Sequence, residues 1–341
     1  MSQETSGSSE NEKKRHHFIP ITYLEGFTND QGRLQVYFAD KGGEPQPIAP
    51  AQIAFRKYYY SQPTPDGGKN NNLLEDLFSN EVEQFWPAAR EAARTDSIDP
   101  ETWSHLHVMV ASLRARVPAT RELIESALAA QVRGIAAKMD REGRLPPMPD
   151  ELNDIWSKID VSIDPHQSLH AMPSILQSTN AVVMSLGFEV LHNRTSTPFI
   201  TSDNPVCFYD PRLPDSQRLP YNLDRKPARA ELQFPIDSWT MLRGKTALKD
   251  HQGSRVPFSR TITDESVVRR INRCTARYAY RMSFACDRTS DTLITRFADR
   301  SPVLRSNWLE IEGGDLFWMQ TQFGPRPTLP KWKGREPLES A

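Results

Sequence analysis

The sequence predicts an α+β protein with short N-terminal strands, a central helical block and a C-terminal, mainly antiparallel sheet. Three observations predict it. Apolar residues alternate early, at Leu34, Val36 and Phe38; helical spacing takes over from Leu73; and strand-like runs return beyond Gly187. Strands at both ends with helices between them argue against a wound βαβ sheet, and they leave open one sheet shared by the first and last strands.

The first strand, Arg33 to Ala39, follows the turn Asn29-Asp30-Gln31-Gly32, and an aromatic-rich strand spans Phe55 to Ser61. After the PTPDGGKNNN loop, Leu73, Leu74, Leu77, Phe78, Val82, Phe85, Trp86 and Ala89 recur at helical spacing, which predicts one helix to about Arg94, kinked at Pro87. Asp99-Pro100-Glu101 sets a capping acid before a proline at the first helical position, and Pro118 stops that helix. Further helices are expected over Ala119 to Glu142, over Glu151 to Ile159, and from Asp164-Pro165 to about Leu186 with a bend at Pro173.

Beyond Gly187 the strands are Phe188 to His192, Pro198 to Thr201, Leu232 to Ile236, Trp239 to Arg243 and Tyr278 to Cys286. A hairpin follows, from Trp308 to Gln322 around Gly313-Gly314. One helix, Asp264 to Arg277, interrupts them. The divisions are a flexible tail at 1–14, a β segment at 15–71, a helical region at 72–187, a β-rich region at 188–323 and a second flexible tail at 324–341.

Composition sets the outer bounds. The 341 residues carry a net charge of -1, with 38% hydrophobic and 25% charged positions, enough chain to bury a core without disulfides or structural metal. Cys207, Cys274 and Cys286 are far apart in sequence, show no CxxC spacing and are odd in number, which points to a reducing, cytoplasmic setting. The first residues hold no apolar leader, and no stretch approaches the roughly 20 apolar residues of a membrane span. Neutrality overall hides an asymmetry. Residues 212–305 hold 19 Lys and Arg against 10 Asp and Glu, whereas residues 1–211 hold 19 against 28. A basic segment of that density attracts phosphates, so nucleic acid or a phosphate-bearing small molecule is an expected partner; exposed, solvated arginines are the plainer explanation.

Candidate chemistry begins at Arg15-His16-His17-Phe18-Ile19-Pro20, where two adjacent imidazoles are the first residues of the expected fold. On an extended segment they point to opposite faces, so one of them at most enters a given pocket, as a general base or metal ligand. The alternative is a pair of histidines bonding the backbone to anchor the chain start. A second string, Pro198 to Val206, ends an apolar strand in Ser202, Asp203 and Asn204, which projects a carboxylate and an amide from a rigid edge. An Asx turn explains the same residues. Arg114 and Arg116, at the end of a helix, can grip phosphate bidentately or simply complement the helix dipole.

Other groupings carry less. His105 and His107 lie about 200° apart on their helix and cannot share a site, whereas His166 and His170 share a face that lacks the glutamate of the zinc-protease pattern. Glu75 and Glu83 fall on one side of the predicted helix, where they would help hold a divalent cation or, more commonly, form the wet side of an amphipathic helix. The tyrosines at 58–60, and Tyr278 with Tyr280, suit base stacking or a core. No GxGxxG, GxxxxGK[ST], GxSxG or HExxH string occurs, which lowers the usual dinucleotide, P-loop, α/β-hydrolase and zincin readings.

The chain resembles the bacterial family known as domain of unknown function 4238. The likeness rests on His16-His17-Phe18-Ile19-Pro20 with Tyr23-Leu24 and Phe27, on Phe199-Ile200-Thr201-Ser202-Asp203-Asn204-Pro205, and on Asn272 to Arg277 with Ala279. It would span about residues 15 to 325, and it departs at Ile21-Thr22, where the family usually has Gln and an aromatic. The resemblance implies a shared fold and no particular reaction.

The expected function is a cytosolic hydrolase of a phosphodiester or other anionic substrate, with nuclease the sharpest form. His16 or His17 would serve as base or metal ligand, and Asp203 would orient that histidine or hold a divalent metal ion. Asn204 and Ser202 would contact substrate, and Arg114 or Arg116 would neutralise phosphate. The alternative is a non-enzymatic recognition module, for instance in a defence or toxin system, whose His and Asp only hold the N-terminus onto the sheet.

Overall fold

Local punctuation places most elements where the sequence expects them. A computed structural model of the chain describes residues 13–42, 44–146, 149, 155, 159–214, 217–221, 223, 229–250, 256–311, 314–328 and 330, with the side chains of 308–315 left aside. The expected helix at Glu151 to Ile159 and most of both tails lie outside the described residues.

The chain opens with β1 (Arg15–His17), the one-turn helix α1 (Ile21–Leu24), β2 (Leu34–Phe38), β3 (Gln46–Ile48), β4 (Phe55–Lys57), β5 (Gln62–Pro63) and β6 (Lys69–Asn70). The turn before β2 is held by Asn29, whose Oδ1 accepts from the N–H groups of Gln31 and Arg33, and Gly32 takes a φ of 70° there. Helices follow: α2 (Leu73–Glu81), α3 (Trp86–Arg94), α4 (Pro100–Arg116), α5 (Pro118–Arg141), α6 (His166–His170) and α7 (Met172–Met184). Asp99 caps α4 by accepting from Thr102 N at 2.7 Å.

Two expected helices are each split. Pro87 and Pro173 do not kink a continuous helix; they sit in the first turns of α3 and α7, where a missing N–H costs nothing.

The remaining elements are β7 (Gly187–Asn193), β8 (Thr201–Ser202), β9 (Cys207–Tyr209), β10 (Glu231–Pro235), β11 (Thr240–Lys245), β12 (Phe258–Ile262), α8 (Glu265–Tyr278), β13 (Met282–Ala285), α9 (Asp291–Arg296), β14 (Ser301–Ile311) and β15 (Gly314–Gly324). The fold is α+β, as expected. The early and late strands do join, but not in one sheet. Strands order β3-β2-β13-β8 in a four-stranded sheet, while β12-β7-β11-β10-β9 form a separate five-stranded sheet, antiparallel except for β12 on β7. The β14–β15 ribbon pairs Ser301 with Gly324 at its base.

The principal core lies between the helices and the five-stranded sheet, where Trp103, Leu106, Val110 and Leu113 of α4 meet Phe188, Val190, Leu232, Phe234 and Leu242. Each such side chain contributes about 1.5–3 kcal/mol by leaving water. Two residues of the expected tails make contacts with the fold. Lys13 Nζ pairs with Asp76 at 2.6 Å, and Arg326 Nη1 donates to the Tyr280 carbonyl at 2.7 Å.

Candidate functional site

β1 pairs antiparallel with β4, which sets His16 opposite Arg56. His16 is fully buried. Its Nε2 donates to the Lys13 carbonyl at 2.8 Å and its Nδ1 accepts from Tyr60 N–H at 2.9 Å, so both ring nitrogens are spent on backbone and the neutral tautomer is fixed. Burial lowers its pKa, against the Lys13 carbonyl. The ring also stacks on Tyr60, with centroids 5.6 Å apart. These two backbone bonds are of the kind that the anchoring alternative expects.

His17 faces the other way, against Phe55. Its Nε2 is buried without a hydrogen bond. Burial lowers its pKa, while a hydrogen bond to the Ala51 backbone and the charge of Glu83 oppose that. Nearby, the fully buried Arg116 donates from Nη1 to Glu83 Oε1 at 2.7 Å and lies over the Phe78 ring, and its Nε and Nη2 have no partner. Burial pushes Glu75 up to about 7, with the Arg116 charge pulling it down. Glu75 and Glu83 therefore meet an arginine rather than the expected cation. Among the described residues, no three His, Cys, Asp or Glu side chains are placed together to hold a metal ion.

The second string is folded inward. Ser202, Asp203 and Asn204 are fully buried. Asp203 Oδ1 accepts from Tyr280 N and Oδ2 from Arg281 N, both at 2.8 Å, while Asp203 N donates to the Met282 carbonyl at 3.0 Å. Burial pushes its carboxyl up to about 6, against these backbone donors. Asn204 Nδ2 donates to the Tyr278 carbonyl at 2.8 Å and to the Tyr221 hydroxyl, and Ser202 Oγ accepts from Asn204 N. Tyr278 therefore stays in α8, and the expected strand begins only at Met282, because these side chains hold the turn between them.

Arg114 and Arg116 part company, as two residues 200° apart on a helix must. Arg114 donates to the Thr120 hydroxyl and lies 3.6 Å above the Tyr221 ring, so it reaches Asn204 through Tyr221. Arg116 belongs with His17. No hydrogen bond joins an N-terminal histidine to Asp203: His16 and Asp203 both bond backbone groups. Glu122 of α5 bridges the two regions instead. It accepts from Arg56 Nη2 at 2.8 Å, from Arg281 Nη2 at 3.1 Å and from the Tyr280 hydroxyl at 2.6 Å. Against its burial, the two guanidiniums hold its carboxyl below the usual value.

The cationic side chains converge elsewhere. A cavity of about 430 Å³ lies between α8 and the far end of the five-stranded sheet; its described lining includes Arg218, Arg243, Lys245, Arg270, Arg273 and Arg277 with the carboxylate of Glu231. Arg270, Arg273 and Arg277 recur at helical spacing, so α8 turns its apolar face (Val268, Ile271, Cys274) to the core and a guanidinium stripe along the cavity. Arg243 and Lys245 alternate on one face of β11. Glu189 accepts from Arg243 Nε at 2.8 Å, which fixes that buried guanidinium, and lies 3.7 Å from Lys245. Arg218 lies over the Tyr209 ring at 4.3 Å, and Arg277 over Phe323 at 4.4 Å.

Below the cations, Cys207 and Cys274 meet in one buried cluster with Tyr209 and Tyr278. Of these cleft residues, only Tyr278 was singled out for chemistry in the sequence, as a stacking or core aromatic, and none of the cations was. The basic bias of residues 212–305 and the 270/273/277 spacing in a predicted helix were the signals available.

The family model described as Protein of unknown function (DUF4238) matches residues 15–289. The chain belongs to this family. No curated protein and no solved structure matches it. The span matched to DUF4238 includes all three recognised strings, all of α8 and every described cleft residue, and it stops short of the β14–β15 ribbon. Among the described residues, no helix of this DUF4238 chain is long and apolar enough to cross a membrane.

Proposed function

We propose that this protein is a recognition module that holds a phosphate-bearing anionic ligand in the cleft between α8 and the five-stranded sheet. The observation that carries the reading is the lining itself, where six cationic side chains and the carboxylate of Glu231 stand among the described residues of one cavity. Guanidiniums held by aromatic rings and by Glu189 are pre-positioned, which cuts the entropy lost on binding. Binding is favoured over hydrolysis because His16 and Asp203, the expected acid–base partners, direct their polar atoms to backbone.

A ligand bound only by the folded state raises apparent stability with its concentration. Sodium pyrophosphate, titrated at constant ionic strength, should raise the unfolding temperature of the wild type and leave the Arg273→Glu/Arg277→Glu variant unmoved. A wild type that does not respond refutes the reading. A hydrolytic second reading rests on His17, whose Nε2 is buried and unbonded beside Arg116 and Glu83. Divalent-metal-dependent cleavage of RNA or DNA that vanishes in a folded His17→Ala variant would support it, and no cleavage by the wild type would end it.

A further inference from the structure

Two buried thiols have no part in the reading above. Cys207, in β9, and Cys274, in α8, are both free, and they share one cluster with Tyr209 and Tyr278. Local periodicity and one hydrogen bond bring them together. Cys274 and Tyr278 are four residues apart on α8 and share a face, while Cys207 and Tyr209 are two apart on β9 and share a face of that strand. The Tyr278 hydroxyl donates to the Phe208 carbonyl at 2.7 Å, which clamps the last turn of α8 onto β9. Cys274 is thereby set against Cys207 as its hydrogen-bonding neighbour.

The two thiols differ in access. Cys207 is fully enclosed, whereas Cys274 stands in the wall of the cavity of about 430 Å³ and keeps 8% of its surface exposed. We infer that Cys207 and Cys274 are a peroxide-responsive pair that forms a reversible disulfide between α8 and β9, with Cys274 oxidised first and Cys207 closing the bond. The pairing depends on the thiols alone and holds whatever the cleft binds.

Access sets the order of steps. A small hydroperoxide, such as hydrogen peroxide, enters the cavity and meets Cys274. The Cys274 thiolate attacks one peroxide oxygen, the O–O bond breaks, and the departing hydroxide takes up the thiol proton, which leaves a sulfenic acid and one water. Cys207 then gives up its proton and attacks the Cys274 sulfur. The S–S bond forms, the S–O bond breaks, and the leaving hydroxide takes the Cys207 proton as a second water. Two thiols have lost two electrons to one peroxide. Burial pushes the Cys207 thiol well up, with Cys274 adding to the rise and the Arg114 charge opposing it, so Cys207 is a poor first nucleophile. In the second step its target sulfur is already beside it, and proximity compensates. A small dithiol restores both thiols through a mixed disulfide.

Cys286 is an internal control. It follows β13, lies outside the cluster, and is the most exposed of the three thiols. Oxidation governed by exposure alone strikes Cys286 first. A bridge that excludes it has to come from the fold.

The full chain, reduced and then freed of reductant, is treated with a few equivalents of hydrogen peroxide. Remaining thiols are alkylated after unfolding, and masses are read intact and after trypsin. The wild type is expected to give a peptide bridged from Cys207 to Cys274, lighter by two hydrogens than its reduced halves and opened by dithiothreitol, with Cys286 outside any bridge. Cys207→Ser should carry oxygen on Cys274 and form no bridge, Cys274→Ser should leave Cys207 open to alkylation, and Cys286→Ser should bridge as the wild type does. Circular dichroism confirms that the variants fold. The wild type also stands as a test by itself, against the same chain oxidised in urea, where the preference for this pair should be lost. Three surviving thiols in the folded wild type, a bridge that includes Cys286, or Cys274 oxidised to a sulfinic acid while Cys207 stays free each overturns the pair. None of these outcomes touches the anion reading, which the pyrophosphate titration tests separately.

Discussion

Replacing Asp203 by alanine separates a structural carboxylate from a catalytic one. The side chain is fully buried and each oxygen accepts one backbone N–H at 2.8 Å, from Tyr280 and Arg281. Alanine leaves both donors without a partner. The Tyr280 bond is buried and the Arg281 bond part-buried, so at about 1–3 kcal/mol for a fully buried orphan and about 1 for the other, the loss is about 2–4 kcal/mol. A chain of this length unfolds with an entropy of about 0.7 kcal/mol per degree, and the melting temperature should fall by about 3–6 °C. Urea unfolding followed by tryptophan fluorescence, with calorimetry alongside, measures both quantities. A variant as stable as wild type that loses a ligand or an activity would refute the structural assignment, because functional residues are the ones whose removal leaves stability unchanged or raised.

Other expectations follow from the same contacts. His16→Phe keeps the ring but removes both backbone bonds, so it should cost about 1–3 kcal/mol in urea unfolding, whereas His17→Phe, which replaces an unbonded Nε2, should cost less. Glu75, pushed up to about 7 by burial, ionises in the unfolded chain before it does in the folded one. Stability should therefore fall as pH rises from about 4.5 to 7, and Glu75→Gln should flatten that decline in melting temperature measured across the range. Gly187→Ala should destabilise by about 1–3 kcal/mol, since a Cβ there would lie 2.3 Å from the Leu248 carbonyl carbon; an unchanged urea midpoint would contradict that close approach.

Much of the architecture was legible because it is written in local chemistry. Asp99-Pro100 starts α4, Pro118 follows its end, and Asn29 with Gly32 turns the chain into β2, each by a backbone rule acting within a few residues. The site was legible only in part. Periodicity places Ser202, Asp203 and Asn204 at a strand end but does not say whether that end faces water or the core. Here the four-stranded sheet and α8 cover it. Similarly, thiols 67 positions apart in sequence, Cys207 and Cys274, share one cluster because β9 and α8 pack together, a long-range contact that spacing does not report. The arginine stripe could have been found, since a predicted helix with cations at 270, 273 and 277 puts them on one face. Its partners Arg243 and Lys245 come from a strand whose neighbours the sequence leaves open.

Of the strings that carry the family resemblance, the one at 198–204 and the one beginning at Asn272 are bonded to each other, and their joint effect is to position the cleft. Asn272, inside α8, donates from Nδ2 to the Pro198 carbonyl at 2.8 Å and accepts from Ile200 N at 3.2 Å. One turn and a half later, Asn204 takes the Tyr278 carbonyl at the end of the same helix, and Asp203 takes the next two N–H groups beyond it. α8 is thus tied at its middle and at its C-terminus to a single extended segment, residues 198–204, with both ties on its buried side. A helix fixed at two points can neither slide nor rotate about its axis, and rotation is the motion that would turn Arg270, Arg273 and Arg277 away from Arg243 and Lys245. The polar string at 202–204 serves the cleft from beneath, by backbone hydrogen bonds that no ligand reaches, and a buried carboxylate and amide are suited to that task because they bond backbone groups left unpaired where the helix ends.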